Sequence, residues 1–295
     1  MARSIRGSSP VADGAVIARS PPWFRNAYGR AGAIIVGSFL LLAIFAPVLA
    51  PYDPWVNNMR PDGALARLDP PSLQHWLGTT VYGDDVLSQL ILGTRLTLLV
   101  GLVTAALIAV IGTNVGLVAG YCGGWIDTCL MRVTDVVYAI PFLPFMIVLI
   151  GFVENRLLTT IAAMALVFWR TAARVVRAQV LTLKQRQYVA AARGAGAGHL
   201  RIMYRHILPH VMPLSLLYLV FGAAWAILTE SSLSFLGLGD PDALSWGLML
   251  NQAFDSGAIR DAWWWVLPPG FSLMLLLVGI YLLGRAFEAP AGRGA

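Results

Sequence analysis

Six stretches of this chain are long and apolar enough to cross the hydrocarbon core of a bilayer, which takes about 20 helical residues. They fall at 31–50, 96–120, 134–153, 156–176, 213–232 and 263–284. No other feature restricts the fold as strongly, because backbone N–H and C=O groups find no water inside a membrane and a spanning segment must satisfy them internally as helix. With 58% hydrophobic and 12% charged residues, the 295-residue chain carries more apolar side chain than one soluble core could hide. The expected fold class is an all-α integral membrane protein with six transmembrane helices. The fourth span is the thinnest: its unbroken apolar run, Leu157–Trp169, has a length equally suited to a buried or re-entrant segment. Arg170, Arg174, Arg177 and Lys184 follow on one helical face, the pattern of a helix leaving the membrane with cationic side chains snorkelling to headgroups.

An even number of spans places both termini on one side, and charge says which. Sixteen of the 21 Lys and Arg lie in the N-terminal tail, the 121–133 loop, the 170–210 region and the C-terminal tail, which assigns these segments to the cytoplasm. The opposite loops hold ten of the 15 acidic residues, among them Asp53, Asp62, Asp84, Asp85, Asp240, Asp242 and Asp261. The net charge of +6 is therefore a topology signal, and nucleic acid is not an expected partner. Residues 1–30, rich in Ser, Pro, Gly and Arg, read as a disordered cytoplasmic tail, and 285–295 as a second tail. The first span starts too late and runs too long for a cleaved signal peptide, and Pro51 follows its only Ala-x-Ala-like end, so retention is expected.

Catalytic motifs are absent. The sole lysine, Lys184, has no glycine-rich loop before it, so the chain holds no phosphate-cradling Gly-x-x-x-x-Gly-Lys-Ser/Thr. There is no His-Glu-x-x-His and no Gly-x-Ser-x-Gly, and Cys122 and Cys129 have no further ligands at metal-binding spacing. Ionisable residues inside the spans are few: Asp135, Arg170 and Glu230. Glu230 reads either as an interfacial carboxylate bonded to neighbouring helices or as part of a translocation path.

The segment 186–210, "RQYVAAARGAGAGHLRIMYRHILPH", is where the chain departs from lipid-facing composition. Ala190, Ala191 and Ala192 favour a short helix over 187–195, Gly194, Gly196 and Gly198 permit a sharp turn, and "HLRIMYRHIL" forms a second short helix before Pro209. The product is a cytoplasmic helix-turn-helix knob with small side chains that admit another backbone, ringed by Arg186, Arg193, Arg201 and Arg205. Leu208 and Pro209 tie it to the fifth span, so that a push on the knob moves a membrane helix.

"YVAAARGAGAGHLRIMYRHILP" resembles the coupling loop of bacterial ABC-transporter permeases, with Ala191, Ala192, Gly196, Ile207, Leu208 and Pro209 filling the family pattern and Ala190 standing where Glu is usual. "PYDP", "HWLGTTVYGDDVLSQLILGTRLTLLVG" and "AILTESSLSFLGLGDPDALSWGLML" are similar to the second permease subunit of dipeptide and oligopeptide importers. Two departures stand out: Asp84 replaces the Arg of a usual Gly-Arg-Asp, and "LLGRAFEAP" replaces a usual Gly-Asp ending.

The resemblance implies a type I importer permease: residues 51–95 extracytoplasmic with an amphipathic helix, and 96–284 the permease core. It implies a homologous second permease, two ATP-binding subunits that carry ATP and Mg, an extracytoplasmic substrate-binding protein, and a place in the bacterial inner membrane. The chain itself is then non-catalytic and binds no cofactor. Tyr188, Ala190, Ala191, Ala192, Arg193, Gly196, Ile207, Leu208 and Pro209 are the implied ATPase-coupling residues.

Alternating access needs helices that bend, and Pro141 and Pro144 in "YAIPFLPFM" each remove a backbone hydrogen bond, with Pro268 and Pro269 candidates for the same effect. Asp85, Leu90, Glu230, Ser231 and Phe235 complete the candidates for pathway or gate. Val86, Leu87, Leu90 and Ile91 are spaced for one helix face, fitting a surface helix or an outer lid. Trp263, Trp264 and Trp265 fit an interfacial belt. Permeases of this type also move nickel complexes, haem or sugars. An ion-coupled secondary carrier would need inverted repeats and charge at mid-depth. A structural membrane factor is the third class.

Overall fold

The computed structural model describes residues 27–153 and 156–288; of the expected tails 1–30 and 285–295, residues 27–30 and 285–288 are instead helical ends, and the remainder lies outside the described residues. The fold is helical, with no strand among the described residues and two isolated β-bridges, Met59–Leu65 and Thr79–Asp85, in the loop after the first helix. The helices are α1 (Ala27–Leu49), α2 (Val86–Cys122), α3 (Gly124–Ala139), α4 (Phe142–Phe152), α5 (Arg156–Leu183), α6 (Gln187–Gly194), α7 (His199–Phe235), α8 (Trp246–Asp255) and α9 (Trp263–Glu288). Five are long and apolar enough to span a membrane, six if the bent pair α3–α4 counts as one. The chain is a multi-pass membrane protein.

α2 is the central rod, about 55 Å long at 1.5 Å per residue, with α5 and α7 packed along it. Its register with α5 is set by small residues one turn apart. A Cβ on Gly112 would lie 2.6 Å from Ala172 Cβ, one on Gly116 2.5 Å from the Ala173 carbonyl, and one on Gly120 2.8 Å from Val180 Cβ. In lipid, apolar surface alone does not drive helices together, and such close backbone approach supplies the packing that does. α1 lies against α9 by the same device, with Gly32 over the Leu283 backbone.

Two of the expectations about the spans hold and two are corrected. The fourth span is present as expected and outruns its apolar stretch: α5 runs unbroken to Leu183 and is largely buried in the bundle, with Thr171, Arg174, Gln179 and Thr182 exposed on its second half. The segment Val86–Ile91 is no separate surface helix but the opening of α2, because Asp85 caps it, its carboxylate accepting from the Ser88 N–H at 2.8 Å. The third span bends where its prolines predict: α3 and α4 meet at 81° across Ile140 and Pro141. Proline pushes the residue before it to extended backbone, and Ile140 sits at φ −75°, ψ 115°. Pro144, in contrast, removes no helical bond, since it occupies the first turn of α4 where N–H groups have no intrahelical acceptor.

The arginines after the fourth span also differ from expectation. They turn onto neighbouring helices instead of reaching for headgroups. Arg177 pairs with Asp127 at 2.5 Å and Arg174 with Asp135 at 2.6 Å, while Arg170 donates to the Val137 carbonyl at 3.1 Å. Lys184 donates to the Gly120 carbonyl at 2.8 Å. A charge beside a helix in low dielectric does better with a fixed partner than unpaired.

At the end of the bundle opposite the knob, the 50–85 loop, α8 and the first turns of α2 and α9 form a cap around fully buried Trp246 and Trp265. Trp246 donates its indole N–H to the Leu90 carbonyl at 3.0 Å and meets Phe39 edge-on at 5.5 Å.

Candidate functional site

The knob is built as its composition suggests. Arg186 is extended and starts α6; the three alanines propagate it. The helix then closes through paired bonds, Ala197 N–H to Ala192 carbonyl at 3.0 Å and Gly196 N–H to Arg193 carbonyl at 3.0 Å, the Schellman arrangement. That motif puts one residue in the left-handed region, and Gly196 takes it at φ +78°. A Cβ there would meet nothing within 4 Å, so the position is open as well as left-handed. Ala190, Ala191, Arg193 and Gly196 are exposed, and Ala192 and Tyr188 are half-buried.

The underside of the knob is fixed. Val189, Ile202, Ile207 and Val211 are fully buried, packed with Leu117, Val176 and Val180 from the ends of α2 and α5. Tyr121 Oη meets His199 Nδ1 at 2.9 Å, and the Tyr188 and His210 rings stack with centroids 5.0 Å apart. Burying four branched side chains contributes about 1.5–3 kcal/mol each in area terms. The exposed face, between Ala192, Ala195, Gly196 and Ala197 on one side and Arg201 and Arg205 on the other, is a shallow groove.

The second knob helix does not stop before Pro209, contrary to the sequence reading. His199–Phe235 is one helical run of 37 residues, with a π-helical turn at Ile202–Ile207. Proline lacks an N–H and its ring crowds the carbonyl four residues back. The wider turn relieves this: the Leu208 N–H reaches back five residues to Met203, and the α-helix restarts with Pro209 in its first turn. Leu208 is half-buried and Pro209 exposed. A load on the second knob helix therefore enters a membrane helix without crossing a loop, and one on α6 reaches it through the packing of Val189 with Ile202 and Ile207.

The pathway candidates do not converge on one site. Asp85 is 1% exposed and committed: beyond capping α2, it accepts from Ser88 Oγ at 2.7 Å and meets His75 Nδ1 at 2.9 Å. Leu90 holds Trp246 through its carbonyl. Glu230 is buried in the cap-side end of α7, taking hydrogen bonds from Ser234 at 2.8 Å and Ser231 at 3.3 Å. Phe235 lies at the end of the same helix against Phe254, centroids 5.6 Å apart. Pro141 and Pro144 are on the α3–α4 elbow. The "ESSLSFLGLG" block is mainly a helix terminator: Leu238 N–H bonds the Leu233 carbonyl at 2.9 Å, with Gly237 left-handed at φ +76°.

Asp84, standing where the resemblance expects Arg, is buried and accepts from Thr80 Oγ1 at 3.0 Å and Gln89 Nε2 at 3.1 Å. Burial pushes its carboxyl above the ordinary range, more than those two bonds pull it down. On the exposed loop nearby, the hydrogen bond from Arg60 holds Asp69 below that range. Sequence reading passed over the Gly112–Gly116–Gly120 stripe, though spacing by four in an apolar run is its signal. It also passed over Tyr138, whose ring lies under Arg174 at 4.0 Å, and over Tyr218; a lone tyrosine in a span carries no pattern.

Residues 112–289 match the family model of the binding-protein-dependent transport system inner membrane component, and residues 23–71 that of the N-terminal TM domain of oligopeptide transport permease C. A dipeptide transport system permease protein of Alkalihalophilus pseudofirmus is 36% identical over 263 residues, covering 88% of this chain and 84% of its own. A Brucella suis protein named for a peptide transport system permease is 38% identical over 248 residues, 83% of this chain and 82% of its own. A second, named for a peptide permease, is 32% identical over 283 residues, 96% of this chain and 92% of its own. With a multi-pass helical bundle, a small-residue knob continuous with α7 and both family models matched, the chain belongs to the binding-protein-dependent transport system inner membrane components, the permeases of ABC transporters.

Proposed function

We propose that this chain is one of two unlike permease subunits of an ATP-driven importer of dipeptides or oligopeptides, forming half of the translocation pathway. The observation that carries the reading is mechanical. The knob, α6 with the first turns of α7, is packed as a unit and shares a continuous helix with the membrane span. A displacement imposed on its exposed alanine-glycine face is transmitted along α7 as a rigid body. The relatives named as dipeptide and peptide permeases support the substrate class.

In this reading ATP and Mg bind to two ATPase subunits that grip the knob groove through Tyr188, Ala190, Ala191, Ala192, Arg193 and Gly196, while Ile207, Leu208 and Pro209 form its root. A substrate-binding protein docks on the cap. The knob and both termini face the cytoplasm, as the Lys and Arg distribution supports, and the membrane is the bacterial inner membrane. Residues 51–95 are extracytoplasmic, and 96–284 form the permease core with 186–210 as its coupling loop.

The test is isolation of the complex from detergent-solubilised membranes. ATP-hydrolysing subunits and a second permease are expected to copurify, and the reconstituted complex to drive vanadate-sensitive dipeptide uptake. Uptake by the isolated chain on a proton gradient, or cross-links placing Gly196 outside the cell, would overturn the reading.

A further inference from the structure

Three arginines of α5, Arg170, Arg174 and Arg177, share one face of the helix and point along the same side of α3. They form a ladder with one rung unfinished. Arg177 has Asp127 and Arg174 has Asp135, each a carboxylate on α3. At the third rung α3 offers Val137 and Tyr138 instead: Arg170 donates to the Val137 carbonyl at 3.1 Å and lies 4.5 Å from the Tyr138 ring centroid. No carboxylate among the described residues pairs with it. A guanidinium presents donors for a bidentate anion, and one carbonyl does not use them.

The unfinished rung lines a cavity of about 390 Å³, within the range of small-ligand pockets. Its walls are Ile108, Phe168, Thr171, Tyr218 and Trp225 besides Arg170 itself. Depth matters here. Ile108 is midway along the uncharged run 96–122 of α2, and Arg170 is midway along α5, which continues to Leu183. A half-exposed arginine at that level cannot face hydrocarbon cheaply, so this side of the bundle faces protein or a wet pathway. Arginine and threonine from α5, tyrosine from α7 and aromatic walls suit a molecule with one anionic end and an apolar body.

Building on the peptide-permease reading above, we propose that Arg170 is a way-station for the C-terminal carboxylate of the travelling peptide, which supplies the acid missing from the third rung. The bond is charge-assisted and bidentate, and the Tyr218 hydroxyl on the same cavity offers a second polar contact for the peptide backbone. One such contact beside a water-filled path holds the peptide without trapping it.

The experiment uses the whole transporter, with its ATPase, second permease and binding protein, in phosphatidylcholine vesicles, and follows ATP-driven uptake of radiolabelled dialanine. Arg170→Gln is expected to lower uptake about tenfold or more, the equivalent of ~1.4 kcal/mol, while ATP hydrolysis and the yield of assembled complex stay near wild type. Arg170→Lys, which keeps the charge but not the bidentate fork, is expected to recover part of the uptake. The same deficit in vesicles containing phosphatidylglycerol assigns the anion to the peptide; a deficit confined to those vesicles assigns it to a lipid headgroup and overturns the proposal. So would uptake unchanged in Arg170→Gln, Arg170→Lys as inactive as Arg170→Gln, or loss of the assembled complex in step with uptake. A wild-type complex that hydrolyses ATP and moves no dialanine would overturn the peptide reading and the way-station together, which distinguishes that failure from the others.

Discussion

Arg177 and Asp127 join α5 to α3 through two parallel hydrogen bonds, Nε to Oδ1 at 2.5 Å and Nη2 to Oδ2 at 2.6 Å. The pair is partly buried and lies beside Gly120, one of the three glycines at which α2 comes close to α5, so it fixes α3 against a rigid pair of helices. Beyond it the α3–α4 elbow is tied by Arg174, Arg170 and a Tyr138–Thr171 hydroxyl contact at 3.0 Å, and Phe142 packs on Phe168 with centroids 4.9 Å apart.

Neutralising one partner of that pair leaves the other charge without its counter-ion. Asp127→Asn or Arg177→Gln is expected to cost about 1–3 kcal/mol, between the exposed and the fully buried cases. Thermal unfolding of the detergent-solubilised protein measures it, and a double-mutant cycle should show the two losses strongly non-additive. Additive losses, within about 0.5 kcal/mol, would mean that the pair does not couple the helices.

Gly116→Ala tests the helix contact. The added Cβ falls 2.5 Å from the Ala173 carbonyl and 2.8 Å from Val176 Cβ, both on a backbone that cannot move alone. A loss of about 1–3 kcal/mol is expected from overpacking. Gly37→Ala on α1, where a Cβ meets nothing within 4 Å, is the control and should not lower the melting temperature.

The cap should respond to acid through two carboxylates of opposite sign. Burial raises Asp84, so the folded state holds its proton more tightly than the unfolded chain; stability is highest at low pH and falls as pH rises from the unfolded value of 3.8 through the raised one. Gln89 Oε1, buried without a partner, can rotate to accept the proton of neutral Asp84. Asp84→Asn should abolish this slope while keeping the fold. Asp69, lowered by Arg60, acts in reverse: its contribution is present above 3.8 and fades as pH falls through the lowered value. Unfolding of the solubilised protein across an acid series separates the two, and a slope untouched by Asp84→Asn would contradict the assignment.

Gly196 separates conformation from docking. Gly196→Ala must hold a left-handed backbone at a cost of about 1–2 kcal/mol, and Gly196→Asn less, both read as faster amide exchange over 195–197. Gly196→Trp places a large side chain in space that is empty in this chain, and is expected to abolish ATP-driven uptake with membrane insertion intact. Full uptake by the tryptophan variant would remove the groove from the coupling site.

Much of the molecule was legible from local pattern. Apolar runs marked the spanning segments, and the alanine-glycine order of 187–198 marked a helix, a left-handed turn and a second helix, because each rests on interactions within a few residues. The course of α5 was legible only in part: its polar second half looks like an exit from the membrane until Asp127, Asp135 and Gly120 are seen to meet Arg177, Arg174 and Lys184. Pro209 looked like a boundary for a similar reason, since a π-turn leaves no mark in composition.

Composition, spacing and the position of basic residues determined by themselves that this chain is a bundle of membrane helices with a small-residue elbow on its basic side, since hydrophobic length and backbone freedom are local properties. Which arginines are paired, and which one faces a cavity, was decided only by the tertiary structure. A charge takes its meaning from partners 33 to 50 residues away, and their distance is set by how closely glycines let the helices approach.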